Sequence, residues 1–445
     1  MNNTEIKILS EIDKRKDELI DYLKKLISFP SENEGIPGTG KETELQNYLY
    51  KDLMEAGFDR VEKVSSNNSN ERPNVIATLK GTKTENSLLF NAHADVVPVK
   101  KEEKKKWFNN PYKAVIKNGL LYGRGASDCK GGLASIIFAS KILKDLKINL
   151  NNDLYLLSSV GEESQEGETI GAALIVERGY KAKLAIIAEP SNCEIHIESP
   201  GVFFFELIIP GKEAHTCARN QILFPQRYGL PSGSEVGVDA IAKAIPFIKL
   251  MQNIETENCH KWKSSTLSGG GYPIPSDKQG LGFFTITPTK MQAGEYIGAV
   301  CGHASIIFVV WYPNWLKEEE VASEIKDKVM HLAKTDDWLA KNPPEFIYPT
   351  LQNWRPFKNS IDNSGVKLLG NTLKELQKQP VIYSAFRAVC DGTFLQDKGI
   401  PSIVFGPGGI DMSVHGPNEF VKIEELLKCA KTYALFAYRW CNEIN

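Results

Sequence analysis

Between about residue 40 and residue 190, short apolar segments alternate with longer segments of helical periodicity. No other feature restricts the fold of this chain as much. "NVIATLKG", "NSLLFNAHAD", "DLYLLSSV" and "AKLAIIAE" read as strands, whereas "GGLASIIFASKILKDL" and "IGAALIVERGY" read as helices. Strands separated by helices predict an α/β fold, here an open mixed sheet with helices on both faces. The pattern resumes near the end of the chain with "GVKLLGNTLKELQ", "PSIVFGPGG" and "KIEELLKCAKTYALFAYRW". The segment between them breaks the pattern. From Gly201 the order is strand, helix, strand, strand, helix, and "EFIYP" offers a final strand. That order predicts a ferredoxin-like α+β module of the split-βαβ kind. The reading is therefore a main domain built from residues 1–197 and 356–445, interrupted by a smaller domain over 198–355. A length of 445 residues, beyond what one core usually serves, agrees with two domains. "SGGGY" (Ser268 to Tyr272) reads as a flexible loop of the insert.

Bulk properties exclude several classes of protein. A formal net charge of -2 gives no global reason to expect nucleic acid as a partner. The densest charge cluster, "KKEEKKKW", mixes signs and reads as a solvated loop. Eight cysteines are scattered without a Cys-x-x-Cys pair, which argues against a zinc finger or a disulfide scaffold and fits a reducing, cytoplasmic setting. The N-terminal stretch is charged throughout and lacks the apolar region of a signal peptide. Ile12, Leu19, Ile20, Leu23, Leu26 and Ile27 predict an amphipathic opening helix there. No apolar run approaches the roughly 20 residues of a membrane span, so no membrane partner is expected.

Chemistry concentrates where the apolar segments end. "DLYLLSSVGEES" closes on the adjacent acids Glu162 and Glu163, whose like charges need either water or a cation nearby. "LLFNAHAD" supplies His93 and Asp95, "LLYGRGASD" supplies Asp128, and "LAIIAE" supplies Glu189. His415 follows "PSIVFGPGGIDMSV" after a short loop. Taken singly, a strand-end acid also reads as a helix cap or turn former, and a strand-end histidine as a loop residue. "GRGASDCKGG" has neither the Walker spacing nor the Gly-x-Gly-x-x-Gly pattern of a phosphate loop. In open α/β sheets, however, ligands bind beyond the carboxyl ends of the strands, so all five segments can meet in one crevice. Two histidines with several carboxylates there point to a dinuclear site for hard or borderline metals, zinc before others.

These motifs, in order "HADVVP", "W…PY…GLLYGRGASDCKGG", "GEES", "AEPS" and "FGPGG…H", resemble the zinc-dependent aminoacylase family of metallopeptidases. That family includes acetylornithine deacetylase, succinyl-diaminopimelate desuccinylase, carboxypeptidase G and several dipeptidases. The resemblance spans nearly the whole chain. It implies a zinc-peptidase-like catalytic domain interrupted by a lid and dimerisation domain. It assigns His93, Asp128 and Glu189 to one metal and Asp128, Glu163 and His415 to the other, with Asp128 bridging. The ions would be zinc, with cobalt or manganese as alternatives. Glu162 would be the general acid/base, and Asp95 would orient the imidazole of His93. A cis peptide between Asp128 and Cys129 is also implied. Three ligand carboxylates against two divalent ions leave one net positive charge, suited to a bound hydroxide and a developing oxyanion. The implied reaction is amide hydrolysis.

"GKEAHTC" in the insert matches the family's Gly-x-x-Ala-His-Ser/Thr motif. The resemblance therefore implies that His215 helps bind the oxyanion in the partner subunit's site, within a homodimer formed through the lid. Two places depart from the family. Gly298, Ala299, Val300 and Cys301 stand where relatives often carry Asn-Val-Val-Pro, and Trp311 stands where they carry an Arg for a substrate carboxylate. The lid is also longer between Asn220 and Val238. Arg387 in "SAFRAVCDGTF" can substitute as an anion anchor or serve a structural role. Asp391 and Gly392 match a family segment near the substrate. Glu189 favours the deacylase and carboxypeptidase branches. The expected activity is thus deacylation of N-acyl amino acids, of the acetylornithine or succinyl-diaminopimelate kind. A dipeptidase or carboxypeptidase acting on short peptides is the alternative, and a non-catalytic metal-binding homologue the third reading.

Overall fold

The strand Lys83–His93 lies inside a sheet and is buried on both faces from Ser87 onward, and that burial organises the larger part of the molecule. The computed structural model describes residues 1–66, 71–164, 166–267, 280–351 and 353–443; "SGGGY" lies outside them. The chain separates into two compact units, Met1–Ser199 with Phe357–Asn445, and Pro200–Pro356.

In the first unit, the main sheet runs in the order Arg60–Val64, Asn74–Leu79, Asn152–Ser159, Lys83–His93, Leu184–Ile187, Ser402–Val404, Ile195–Ser199, Phe357–Lys358. Tyr383–Ala385 pairs with Ile195–Ser199 off this path. Four adjacent central strands are parallel, from Asn152–Ser159 to Ser402–Val404, and the flanking pairs at both edges include antiparallel ones. Side chains alternate strictly between two cores, as the period of two requires. Leu88, Phe90, Leu154, Leu156, Leu184 and Ile186 face one core. Leu89, Tyr155, Leu157, Ala185 and Ile187 face the other. The first core is covered by the helices Lys130–Asp145 and Ile423–Cys441 and the second by Ala172–Glu177 and Gly392–Asp397. The expected mixed sheet with helices on both faces is the fold found.

The second unit orders its strands Thr285–Ala293, His303–Tyr312, Gly201–Pro210, Glu345–Ile347, all antiparallel. Phe203, Phe205, Leu207 and Ile209 alternate inward, opposite Ala304, Ile306, Phe308 and Val310. The helices Ala240–Lys261 and Glu318–Ala333 cover that face. Strand order and connectivity are those of the ferredoxin-like module expected from sequence.

Two local expectations change. The single opening helix is two, Asn3–Lys14 and Lys16–Ile27, broken at Arg15, whose guanidinium bonds Glu18 and Asp145. The charged loop after residue 100 contains a short helix, Lys101–Lys104, because Glu103 pairs with the buried Arg124 and Trp107 packs beneath it. No helix among the described residues is long and apolar enough to cross a membrane.

Phe205 is fully buried and stacks on Phe308 and Phe346 at centroid distances of 5.0 and 4.6 Å. Truncation there removes both contacts and leaves a cavity. Phe205→Ala is expected to destabilise the protein by about 3–5 kcal/mol, read from urea unfolding curves.

Candidate metal centre

Parallel strands end on the same side of a sheet, and the site follows from that. His93 is the last residue of its strand. Glu162 and Glu163 follow Asn152–Ser159, Glu189 follows Leu184–Ile187, and the loop leading to His415 leaves Ser402–Val404. Asp128 comes just before the crossover helix Lys130–Asp145 and is joined to Cys129 by a cis peptide bond.

These side chains meet. His93 Nε2 lies 2.9 Å from Asp128 Oδ1 and 3.6 Å from Glu189 Oε1. His415 Nε2 lies 3.1 Å from Asp128 Oδ2 and 3.3 Å from Glu163 Oε1. One carboxylate therefore faces two imidazoles through its two oxygens, the geometry of a bridge. Ligating atoms of His93, Asp128 and Glu163 all lie within 4.8 Å of one another, as do those of His93, Glu189 and Cys129. Cys129 belongs by proximity only. Burial pushes its thiol well above the ordinary value, and its Sγ donates to the carbonyl of Ala188 at 3.2 Å, which marks a neutral thiol.

The donor set suits divalent cations. His93 Nδ1 donates to the carbonyl of Asp95 at 2.9 Å, which turns Nε2 toward Asp128 and Glu189. Glu163 Oε1 is buried without a hydrogen-bond partner. Burial pushes Glu189 up to about 8, helped by Asp128, Asp391 and Glu163 against the pull of His93. His415 is raised to about 11; burial opposes this, but Asp128 and Glu163 outweigh it. Acids held above their range beside imidazoles held above theirs are groups crowded with negative charge, which a cation relieves. Nitrogen and oxygen donors without a thiolate fit zinc, cobalt or manganese.

Glu162 differs from its neighbour. It is half-buried and makes no hydrogen bond or ion pair among the described residues. Burial, with Glu189, Glu163 and Asp391, holds its carboxyl well above the usual range despite His93.

Asp95 carries more than an imidazole. Its Oδ1 is 3.5 Å from His93 Nδ1, while its Oδ2 accepts from Asn33 Nδ2 and from the Glu163 backbone N–H, both at 2.9 Å. Asn33 also donates to Ser164 Oγ at 2.7 Å, and Ser164 donates to Glu166 at 2.5 Å. Arg72 then joins Glu166 and Glu42 at 2.7 and 2.8 Å. This buried chain braces the loop of the paired acids. Asn33, Glu42 and Arg72 escape sequence reasoning because no apolar strand ends on them.

The two remaining candidates are His215 and Arg387. His215 is an exposed residue of the second unit, in a two-residue strand paired with Ala299–Val300, and its Nδ1 accepts from the Cys217 backbone. Arg387 is half-buried after the strand Tyr383–Ala385 and has no hydrogen-bond or ion-pair partner among the described residues.

Residues 89–439 match the model of Peptidase family M20/M25/M40. Across 98% of its length the chain is 30% identical to the N-formyl-4-amino-5-aminomethyl-2-methylpyrimidine deformylase of Halalkalibacterium halodurans, covering 97% of that protein. Identity is also 30% to the protein of the same name from Bacillus subtilis, over 97% of this chain and 96% of that one. In fold it is similar to an M20 family metallo-carboxypeptidase from Sulfolobus solfataricus, with a TM-score of 0.69 at 20% identity, over 95% of this chain and 99% of that one.

The contacts of Asp128 set an expectation for metal content. After zinc loading and dialysis, elemental analysis should find both ions lost in Asp128→Ala. His415→Ala should lose one and keep the other.

Proposed function

The chain belongs to Peptidase family M20/M25/M40, and we propose that it hydrolyses the amide bond of a small N-acylated amine at the centre built on Asp128. The observation that carries this reading is Glu162, a carboxyl without a hydrogen bond or ion pair that burial holds above its ordinary range beside a cluster of cation-ligand side chains. His93, Asp128 and Glu189 would hold one ion and Asp128, Glu163 and His415 the other, most simply zinc. When bound, the ions supply a polarised acyl carbonyl and a more acidic water. Glu162 takes a proton from the attacking water and returns it to the leaving nitrogen as the C–N bond breaks. The products are a carboxylic acid and an amine. Asp95 keeps the imidazole of His93 in one orientation through its carbonyl, and His215 donates to the oxyanion from a second copy paired through the lid.

For the acyl group we favour formyl, on an aminomethyl group attached to a heteroaromatic ring. Two relatives named as deformylases of such an aminopyrimidine align over nearly the whole chain. The lid agrees with a substrate that has no carboxylate. Trp311 stands at the place of the usual Arg and packs edge-on against Phe283. A second reading, N-acyl amino acids, draws on Arg387, whose unpaired guanidinium could receive a carboxylate.

Formate release from N-formyl aminomethylpyrimidine, compared with amine release from N-acetyl and N-succinyl amino acids and from dipeptides, decides between them. Formyl substrates are expected to be turned over fastest; preference for an N-acyl amino acid would establish the second reading. Glu162→Gln should keep the metal content and lower kcat by about 10²–10⁴-fold. Full turnover in chelated, metal-free protein would defeat the mechanism.

A further inference from the structure

Two segments of the centre that lie far apart in sequence are tied together by one side chain. A small sheet pairs Phe420–Lys422 with Leu120–Tyr122, in antiparallel register from Phe420 opposite Tyr122 to Lys422 opposite Leu120. This pairing brings Glu419, just before one strand, against residues 124–128, just after the other. Glu419 is only 1% exposed, and both of its oxygens are used. Oε1 accepts from the backbone N–H groups of Ser127 and Asp128, at 2.9 and 3.1 Å. Oε2 accepts from the Gly125 N–H at 3.0 Å and from Arg124 Nη1 at 2.9 Å. The Glu419 carbonyl accepts from the Gly123 N–H at 2.9 Å.

An ionised carboxylate removed from water needs a countercharge and a full set of donors. Arg124, also 1% exposed, provides the charge and is itself anchored on Glu103 at 2.7 Å. Charge-assisted hydrogen bonds to consecutive backbone groups are short and directional, so they fix a peptide segment and not only a side chain. The peptide fixed here carries Asp128. Glu419 stands four residues after His415, whose Nε2 is 3.1 Å from Asp128 Oδ2. His415 has a φ of 61° and a half-exposed side chain, so little local packing holds it in place.

We infer that Glu419 is a positioning residue that locks the Asp128 peptide to the segment bearing His415, and so sets the separation of those two ligands. This rests on the ligand assignment proposed above. Glu419→Gln replaces one accepting oxygen with a donor that faces backbone N–H groups. Stepwise zinc titration of the metal-free protein by calorimetry, and the visible absorption of the cobalt form, report on the centre without turnover. Glu419→Gln is expected to weaken the His415-side ion by ~10–100-fold and change the cobalt spectrum, with a smaller loss at the other ion, which shares Asp128.

The control is Arg439→Met, which breaks a buried pairing with Glu5 and a more exposed one with Glu375, neither involving a residue of the centre. It should lower the melting temperature but leave both affinities unchanged. Wild-type affinities and spectrum in Glu419→Gln would overturn the inference, and so would an equal loss in Arg439→Met. Should Glu419→Gln not fold, Glu419→Asp, which keeps the charge but shortens the reach, is read by the same two criteria. Failure of the unmodified protein to bind a second ion would overturn the ligand assignment itself; two ions bound alike in both proteins would overturn only the role of Glu419.

Discussion

Four acids, Asp128, Glu162, Glu163 and Glu189, crowd around two imidazoles at the end of a buried sheet, and their mutual repulsion is the constraint on which the centre depends. Charges of one sign brought out of water must be neutralised, paired or shared with a cation. The histidines answer part of this, with Asp128 reaching one through each oxygen. Divalent ions answer it fully, and the donors point inward in a way that suits them. In the function proposed here the acids that face an imidazole serve as ligands, and Glu162, which has no such contact, moves the proton.

Holding this arrangement takes a second tier of buried polar contacts. On one side, Asp95, Asn33, Ser164, Glu166, Arg72 and Glu42 form a continuous chain behind the loop of the paired acids. On the other, Glu419 and Arg124 grip the peptide of Asp128. Neither tier is replaceable by apolar packing, because backbone N–H groups and ligand carboxylates need directional partners. Both tiers lie within the unit that also contains the sheet, so the ligand positions are determined by the same elements that form the core.

Much of this was legible in the chain. Apolar runs such as "LLFNAHAD" and "LYLLSSVGEE" show both the strand and the polar residue at its end. The alternation of Leu88, Leu89 and Phe90 between two cores follows directly from a period of two. The supporting residues were not legible. Asn33 lies in a loop after the opening helices, Arg72 beside a strand start, and Glu419 before a strand of three residues. Their polar side chains look like ordinary surface groups until the fold removes water from around them. The break at Arg15 and the short helix at Lys101–Lys104 escaped for a related reason: ion pairs with Asp145 and with Arg124, both distant in sequence, decide them.

By itself the sequence determined the alternation of strands and helices, the ferredoxin-like interruption and the chemical identity of the groups at the strand ends, because periodicity and residue type are local properties. Only the tertiary structure decided which of those groups meet. Parallel pairing sends the ends of Lys83–His93, Asn152–Ser159 and Leu184–Ile187 to one edge, and the small sheet delivers Glu419 to the peptide of Asp128. Distance between residues far apart along the chain is set by strand pairing and shared cores, and no local pattern encodes it.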